Sequence, residues 1–171
     1  PAGGQVKSTT NTGVPMAKSL GVVAIDIDDD GWQDIIVAND TVQNFLFHNL
    51  KNGKFKEIGL QTGIAMDERG DARGAMGIDA ARFLNNKTIG VAIGNFANEP
   101  TALYCTHEGA RGPDSPPVQF TDDALATGFG PQTRESLKFG VLFCDVDLDG
   151  RLDILQANGH LEQEINKIQV N

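Results

Sequence analysis

The stretch Asp26-Ile27-Asp28-Asp29-Asp30-Gly31-Trp32-Gln33-Asp34 returns later in the chain as Asp145-Val146-Asp147-Leu148-Asp149-Gly150-Arg151-Leu152-Asp153. Both copies have aspartate at positions 1, 3, 5 and 9 and glycine at position 6. A third copy, Arg82-Phe83-Leu84-Asn85-Asn86-Lys87-Thr88-Ile89-Gly90, has lost the four aspartates and that glycine. We call residues 26–34, 82–90 and 145–153 the first, middle and third loops. The chain is therefore an internal repeat.

The flanks of the loops fix the register of the repeat. A glycine precedes each loop and an asparagine follows it, and both series step by 56 and then 63 residues: Gly21, Gly77, Gly140 and Asn39, Asn95, Asn158. The segment from Phe55 to Ile64 also returns as Phe120 to Phe129. We therefore predict three repeats, at about 13–64, 65–129 and 130–171, within a fragment of one domain that covers residues 1–171.

Short runs of β-branched and aromatic residues surround each loop, which favours strands. The runs span 21–25, 34–38, 44–48 and 54–58, then 77–81, 89–95, 101–105 and 118–121, then 140–144 and 153–157. Four short antiparallel strands per repeat are typical of a β-propeller blade. We predict an all-β fold of about two and a half blades, with the loops between the first and second strand, and one helix at 161–169.

Composition limits the function classes. The 171 residues carry a formal charge of −9, and sixteen of the 23 acidic residues are Asp, which prefers turns to helices. An acidic chain without basic clusters or long apolar runs disfavours nucleic acid as a partner and insertion into a membrane. Because the chain begins with Pro1, we expect a processed or excised piece of a longer protein. Cys105 and Cys144 are expected to be buried thiols, with a single disulfide as the alternative.

The spacing of the aspartates predicts two calcium sites. Alternating carboxylates can converge on one point, and Ca²⁺ takes about six to eight oxygen ligands. Glycine at position 6 lets the chain turn sharply, and the carbonyl at position 7 can supply a further oxygen. The alternative is a solvated acidic turn that binds nothing. The predicted ligands are the side chains of Asp26, Asp28, Asp30, Asp34, Asp145, Asp147, Asp149 and Asp153 and the backbone oxygens of Trp32 and Arg151.

The type of calcium motif follows from position 12 of the loops. An EF-hand has Glu there and a helix on each side, whereas this chain has Val37 and Gln156 within predicted strands. A calcium loop between two strands resembles the blades of integrin α-subunit propellers and, with the lead-in Phe139-Gly140-Val141, FG-GAP/VCBS repeats. The segments Phe45-Leu46-Phe47-His48-Asn49 and Ala157-Asn158-Gly159-His160 resemble bacterial ASPIC/UnbV, cartilage acidic protein-like relatives.

The resemblance implies a calcium-bound propeller that is exported from the cytoplasm and serves adhesion or recognition of a protein or glycan ligand without catalysis. An alternative is a propeller-type polysaccharide hydrolase or lyase, which would need paired carboxylates outside the loops. A third reading is a structural repeat in an extracellular stalk. Because two and a half blades do not close a ring, self-association through open blade edges is also expected unless the natural chain is longer.

Several residues have two interpretations. The middle loop should be metal-free, with Arg82 either pairing with nearby carbonyls or Asp79, or pointing to solvent. Trp32 is expected to pack over its loop, with an exposed contact position as the alternative. The repeated asparagines favour a structural role at strand ends over a partner-binding rim. The cluster of His160, Glu162 and Glu164 has no recognisable catalytic spacing.

Overall fold

The structure, a computed structural model, describes residues 16–107 and 115–160. Over these ranges the chain forms three antiparallel sheets in which neighbouring strands in the chain are neighbours in the sheet. The first sheet has β1 (Ser19–Ile25), β2 (Asp34–Asn39), β3 (Phe45–Asn49) and β4 (Phe55–Glu57). The second has β5 (Ala75–Ala81), β6 (Gly90–Asn95), β7 (Ala102–His107) and β8 (Gln119–Asp122), and the third has β9 (Lys138–Cys144) and β10 (Asp153–Asn158).

The predicted all-β fold is confirmed, because the sheets are propeller-like blades. Each predicted strand overlaps an observed one, and their ends differ by at most two residues. Two helices of one turn each were not predicted, α1 (Gly59–Thr62) and α2 (Phe129–Gln132). Four residues are too few to show a helical period in a sequence. The helix predicted at 161–169 lies outside the described residues.

Alternating side chains on the strands build a core between the sheets. Ile36 on β2 and Leu46 on β3 are fully buried where the first sheet packs against the second. The second sheet buries Ala92 and Leu103 on its other face, against Phe143 of β9. Full burial of a large apolar side chain such as Ile36 or Leu46 contributes about 1.5–3 kcal/mol to the free energy of unfolding. Each sheet is thus held mainly by its neighbours, as expected for stacked repeats.

Glycine allows the first strands of the sheets to approach closely. A Cβ atom on Gly21 of β1 would lie 2.8 Å from the carbonyl oxygen of Met76, next to β5 residue Gly77. A Cβ atom on Gly77 would in turn collide with the carbonyl group of Phe139 on β9. These two glycines of the repeat register are therefore needed for close packing of backbones rather than for turns.

The topology places all three loops at one end of the molecule. Each loop joins the first two strands of its sheet, and β1, β5 and β9 pack side by side. The turns between the second and third strands, and the connections between sheets, lie at the opposite end because the strands are antiparallel. No helix in the described ranges is long and apolar enough to cross a membrane. Cys105 and Cys144 are both free thiols, so the single disulfide is absent.

Candidate metal centre in the strand-connecting loops

The first loop is folded by its own carboxylates. Asp26 accepts hydrogen bonds from the backbone N–H groups of Asp30 at 3.1 Å and Gly31 at 2.8 Å. Asp30 accepts one from the N–H of Trp32 at 2.8 Å. Gly31 has φ +86°, a conformation that suits glycine, and Asp29 has φ +60°. Side chains at positions 1 and 5 therefore shape the loop into a tight turn.

The third loop repeats this geometry. Asp145 accepts hydrogen bonds from the N–H groups of Asp149 at 3.0 Å and Gly150 at 2.8 Å. Asp149 accepts one from the N–H of Arg151 at 2.9 Å. Leu148 and Gly150 have φ +61° and +85°, almost the values of their counterparts in the first loop. The same sequence spacing thus produces the same backbone in two separate sheets.

Seven of the eight predicted side-chain ligands lie in clusters of possible metal-binding groups. Three groups of residues each bring one ligand atom per residue within 4.8 Å of one another: Asp26, Asp28 and Asp34; Asp28, Asp30 and His48; and Asp145, Asp147 and Asp149. Such clusters could hold a metal ion. Asp153 belongs to none of them. The proposed backbone ligands at Trp32 and Arg151 stay predictions.

Asp34, the ninth residue of the first loop, is positioned by two backbone N–H groups and the ring of His48. It is 1% exposed, and it accepts hydrogen bonds from the N–H of Ile27 at 3.1 Å and the N–H of Asn49 at 2.7 Å. His48 Nδ1 lies 3.0 Å from the same carboxylate. In the sequence, His48 stands out only as part of a segment that resembles a known family, and nothing there indicates this role. The pairing of Ile35 with Phe47 brings His48 beside Asp34, and that register was the signal that could have revealed it.

Asp28 provides a test of whether the first loop fits a cation. Its Oδ1 atom is buried and has no hydrogen-bond partner, the only such side-chain atom among the described residues. Burial, reinforced by the charge of Asp30, raises the pKa of Asp28. A buried carboxylate oxygen without a partner is costly. A cation among these oxygens would satisfy that atom, so the donor set fits a hard metal ion such as Ca²⁺.

A basic side chain contacts the carboxylate at position 5 in each of the two acidic loops. Lys51 Nζ lies 2.9 Å from Asp30, and its hydrogen bond lowers the pKa of that carboxyl. Arg151 Nη2 lies 2.5 Å from Asp149 and lowers the pKa of that carboxyl in the same way. Both cations are exposed, and surface ion pairs of this kind contribute little stability. A metal ion could therefore displace Lys51 or Arg151 from these carboxylates with little loss of stability.

The middle loop keeps the turn without the acids. Asn86 accepts a hydrogen bond from the N–H of Thr88 at 2.7 Å, as the aspartates at position 5 do in the other loops. Arg82 Nη1 donates to the Lys87 carbonyl at 2.8 Å, which confirms the predicted pairing with carbonyls. The predicted pairing with Asp79 is wrong. Asp79 instead accepts a hydrogen bond from the N–H of Phe143 at 2.7 Å, because β5 packs against β9.

A family model of FG-GAP-like repeats matches residues 4–89, half of the chain. The chain belongs to the FG-GAP-like repeat family. The match includes the first sheet with its acidic loop and ends at residue 89 in the middle loop. A comparison with curated proteins finds no match. The FG-GAP repeats and the antiparallel sheets together indicate a β-propeller-type module, and the finer likeness to ASPIC/UnbV relatives stays a prediction.

Other candidate residues of the FG-GAP repeats have separate roles. Asn39 and Asn95 are buried, and their side-chain amides donate to the carbonyls of Gln43 at 2.8 Å and Pro100 at 2.6 Å, which confirms their structural role. Trp32 is 48% exposed at the loop, which favours the contact position over packing. His160 meets the ring of Phe96 at 6.1 Å, and its predicted acidic neighbours lie outside the described residues.

A groove of about 580 Å³ opens at the end of the FG-GAP repeats opposite the loops. Two cations brace its walls. Arg73 contacts Asp67 at 3.3 Å and Asp122 at 3.1 Å, which ties the connection between the sheets to β8. Lys138 is fully buried and donates to the carbonyls of Glu99 at 2.8 Å and Thr133 at 2.5 Å. Burial lowers the pKa of Lys138 to about 8.

Proposed function

We propose that this FG-GAP-like chain is a calcium-binding β-propeller module that recognises a protein or glycan ligand outside the cytoplasm and has no catalytic activity. The observation that carries the calcium site is the buried, unpartnered Oδ1 of Asp28 among converging carboxylates. The ion would supply two positive charges to a set of oxygens that otherwise repel one another. The resemblance of the acidic loops to those of integrin α-subunit propellers supports a setting outside the cytoplasm.

The residues of the first loop have distinct parts in this proposal. Asp28 would supply the oxygen that lacks a partner, and Asp26 would bind while it continues to cap the turn. Asp34 is already fixed by the donors from Ile27 and Asn49, so its oxygens would need little reorganisation. Asp30 would exchange Lys51 for the ion. In the third loop Asp145, Asp147 and Asp149 would act in the same way.

The groove at the opposite end is the surface we assign to ligand recognition. Its volume lies within the usual range of about 300–1,000 Å³ for binding sites. The exposed side chains of Arg69, Asp71 and Arg134 at this groove offer both donors and acceptors, which suits a polar ligand. The fully buried Lys138 beneath it keeps the walls in place. Metal binding and ligand recognition would then occupy opposite ends of the same strands.

Two of the carboxylates that line the groove support a non-catalytic role. A glycosidase needs a protonated acid with a raised pKa beside a second carboxylate. Asp67 has the opposite character: although burial alone would raise it, N–H groups of Asp71 and Arg69 and the Arg73 guanidinium lower its pKa. Asp122 shares the same arginine. Both carboxylates are thereby engaged in holding the fold together.

Thermal unfolding with and without calcium tests the metal site. We expect EDTA to lower the midpoint by about 5 °C or more and added CaCl₂ to restore it, because the ion binds only the folded chain. Asp28→Asn should reduce this response, whereas Asp71→Asn at the groove should leave it intact. Midpoints that are equal in EDTA and CaCl₂ would refute the calcium proposal. Glycan-array binding that is lost in Arg134→Ala would test the groove separately.

A further inference from the structure

The middle loop touches both acidic loops although it has none of their aspartates. Arg82 Nη2 donates to the Asp26 carbonyl at 3.2 Å and to Asp29 Oδ1 at 2.6 Å in the first loop. Asn85 Nδ2 donates to the Gly150 carbonyl at 3.1 Å in the third loop. The contacts differ in strength, because the first loop receives a charged donor and the third a neutral amide.

Arg82 reverses the polarity of a contact found in the other loops. At position 1, Asp26 and Asp145 each accept a hydrogen bond from the N–H of position 6. Arg82 at position 1 donates instead to the carbonyl at position 6, Lys87. The guanidinium thus closes its own loop with one nitrogen and has the other free to reach the first loop. A planar fork of donors allows both contacts together.

The contact to Asp29 falls on the strained residue of the first loop. Asp29 has φ +60°, a conformation that costs energy for any residue with a Cβ atom. Its carboxylate meets Arg82 on one oxygen and Lys87 Nζ, at 3.3 Å, on the other. The counterpart in the third loop, Leu148, has φ +61° and a side chain that is 87% exposed. The side chain at position 4 is therefore paired with two cations in the first loop, whereas its counterpart in the third loop is an exposed leucine.

We propose that Arg82 is a positioning residue that holds the first loop in its folded conformation when calcium is absent. The middle loop lacks the aspartates that would bind a metal ion, and instead it supplies the Arg82 guanidinium to the first loop. Asp29 offsets the charge of the Arg82 guanidinium, and the second cation, Lys87, is 91% exposed and screened by solvent. Both should therefore repel an incoming cation only weakly. The third loop receives only the neutral amide of Asn85 from the middle loop and should depend on its ion. This difference between the loops rests on the proposed calcium function.

Hydrogen exchange of the full chain in EDTA and in CaCl₂ measures this difference. Peptides covering residues 26–34 and 145–153 report the two acidic loops. In the wild type we expect calcium removal to speed exchange roughly tenfold in the third loop and less than about threefold in the first. In Arg82→Ala, the first loop in EDTA should exchange about tenfold faster than in the wild type, and saturating CaCl₂ should remove most of that difference.

Controls separate position from charge and from global unfolding. Arg69→Ala removes an exposed arginine at the opposite end and should leave both loops unchanged. Arg82→Lys keeps the charge but loses the fork, so the first loop should still exchange faster than in the wild type. Peptides from the buried strand β6 serve as an internal reference for global stability. If Arg82→Ala does not fold, Asp29→Asn breaks the same pair from the other side.

The outcomes decide the proposal. Unchanged exchange of the first loop in Arg82→Ala, wild-type behaviour of Arg82→Lys, or a clear calcium dependence that is equal in the two wild-type loops would overturn it. A chain whose loops and thermal midpoint ignore calcium would refute the calcium function. In that case an effect of Arg82→Ala in EDTA would still show the brace, so the two failures can be told apart.

Discussion

The first and third loops share one sequence motif and one backbone conformation, yet the surroundings of the aspartate at their ninth position differ. Asp34 is 1% exposed and is held by the N–H groups of Ile27 and Asn49 and by the ring of His48. Asp153 is exposed and accepts one hydrogen bond within the described residues, from the N–H of Val146 at 3.3 Å. Positions 1 and 5 are therefore set by the loop itself, whereas the third strand adds contacts to position 9 in the first sheet.

The contrast shows that some carboxylates are positioned by contacts within their own loop and others by contacts with a distant strand. His48 and Asn49 lie on β3, two strands away from where the loop begins. The third sheet has only β9 and β10 within the described residues. A carboxylate that is fixed before the ion arrives needs less reorganisation, so we expect the first site to bind more tightly.

Removal of the ninth carboxylate should give the largest difference between the loops. Asp34→Ala leaves two backbone N–H groups and His48 without their acceptor, and we expect it to lower the free energy of unfolding in EDTA by about 3 kcal/mol. Asp153→Ala should cost less than about 1 kcal/mol, because the residue is exposed. Urea unfolding of both variants measures this. Equal losses would show that β3 does not distinguish the loops.

Terbium luminescence can assign the ions to individual loops. Trp32 is the single tryptophan and lies at position 7 of the first loop, where the third loop has Arg151. Excitation of Trp32 should therefore sensitise Tb³⁺ in the first loop, since energy transfer falls steeply with distance. Asp28→Asn should abolish the emission and Asp147→Asn should preserve it. Emission that survives Asp28→Asn would place the ion elsewhere.

His48 should affect the first loop alone. Its ring nitrogen lies 3.0 Å from Asp34, and loss of such a supporting contact commonly weakens metal binding at least about tenfold. We expect His48→Ala to shift the terbium titration by about that factor. His107→Ala, at the end of β7, is the matched control. If both variants titrate like the wild type, the outer strand does not position the ligand.

Arg151 should have the smallest effect. It pairs with Asp149, which an ion in the third loop would need, so Arg151→Ala should tighten calcium binding there by about threefold or less. Calorimetry in an Asp28→Asn background isolates the third site. Weaker binding in Arg151→Ala would mean that the arginine supports the site rather than competing with the ion.

The fold was largely predictable because its signals are local. Alternating β-branched residues marked the strands, and glycine with aspartate marked the loops. The missing information was long-range: Arg82 pairs with Asp29, 53 residues away, and His48 reaches Asp34 across a strand pair. Repetition predicted equivalent loops, and it could not show that β3 buries Asp34 while Asp153 stays exposed. The short helices carried no periodic signal.

The two glycines that let β1, β5 and β9 approach have a geometric consequence. At these positions the first strands of neighbouring sheets form a narrow edge, because a Cβ atom on Gly21 or Gly77 would lie 2.8 Å or less from a backbone oxygen of the next sheet. The width at the narrow edge sets the angle through which one sheet is rotated from the next. A methyl group at Gly77 would therefore open that angle, and the change would be carried into the curvature of every repeat stacked beyond it.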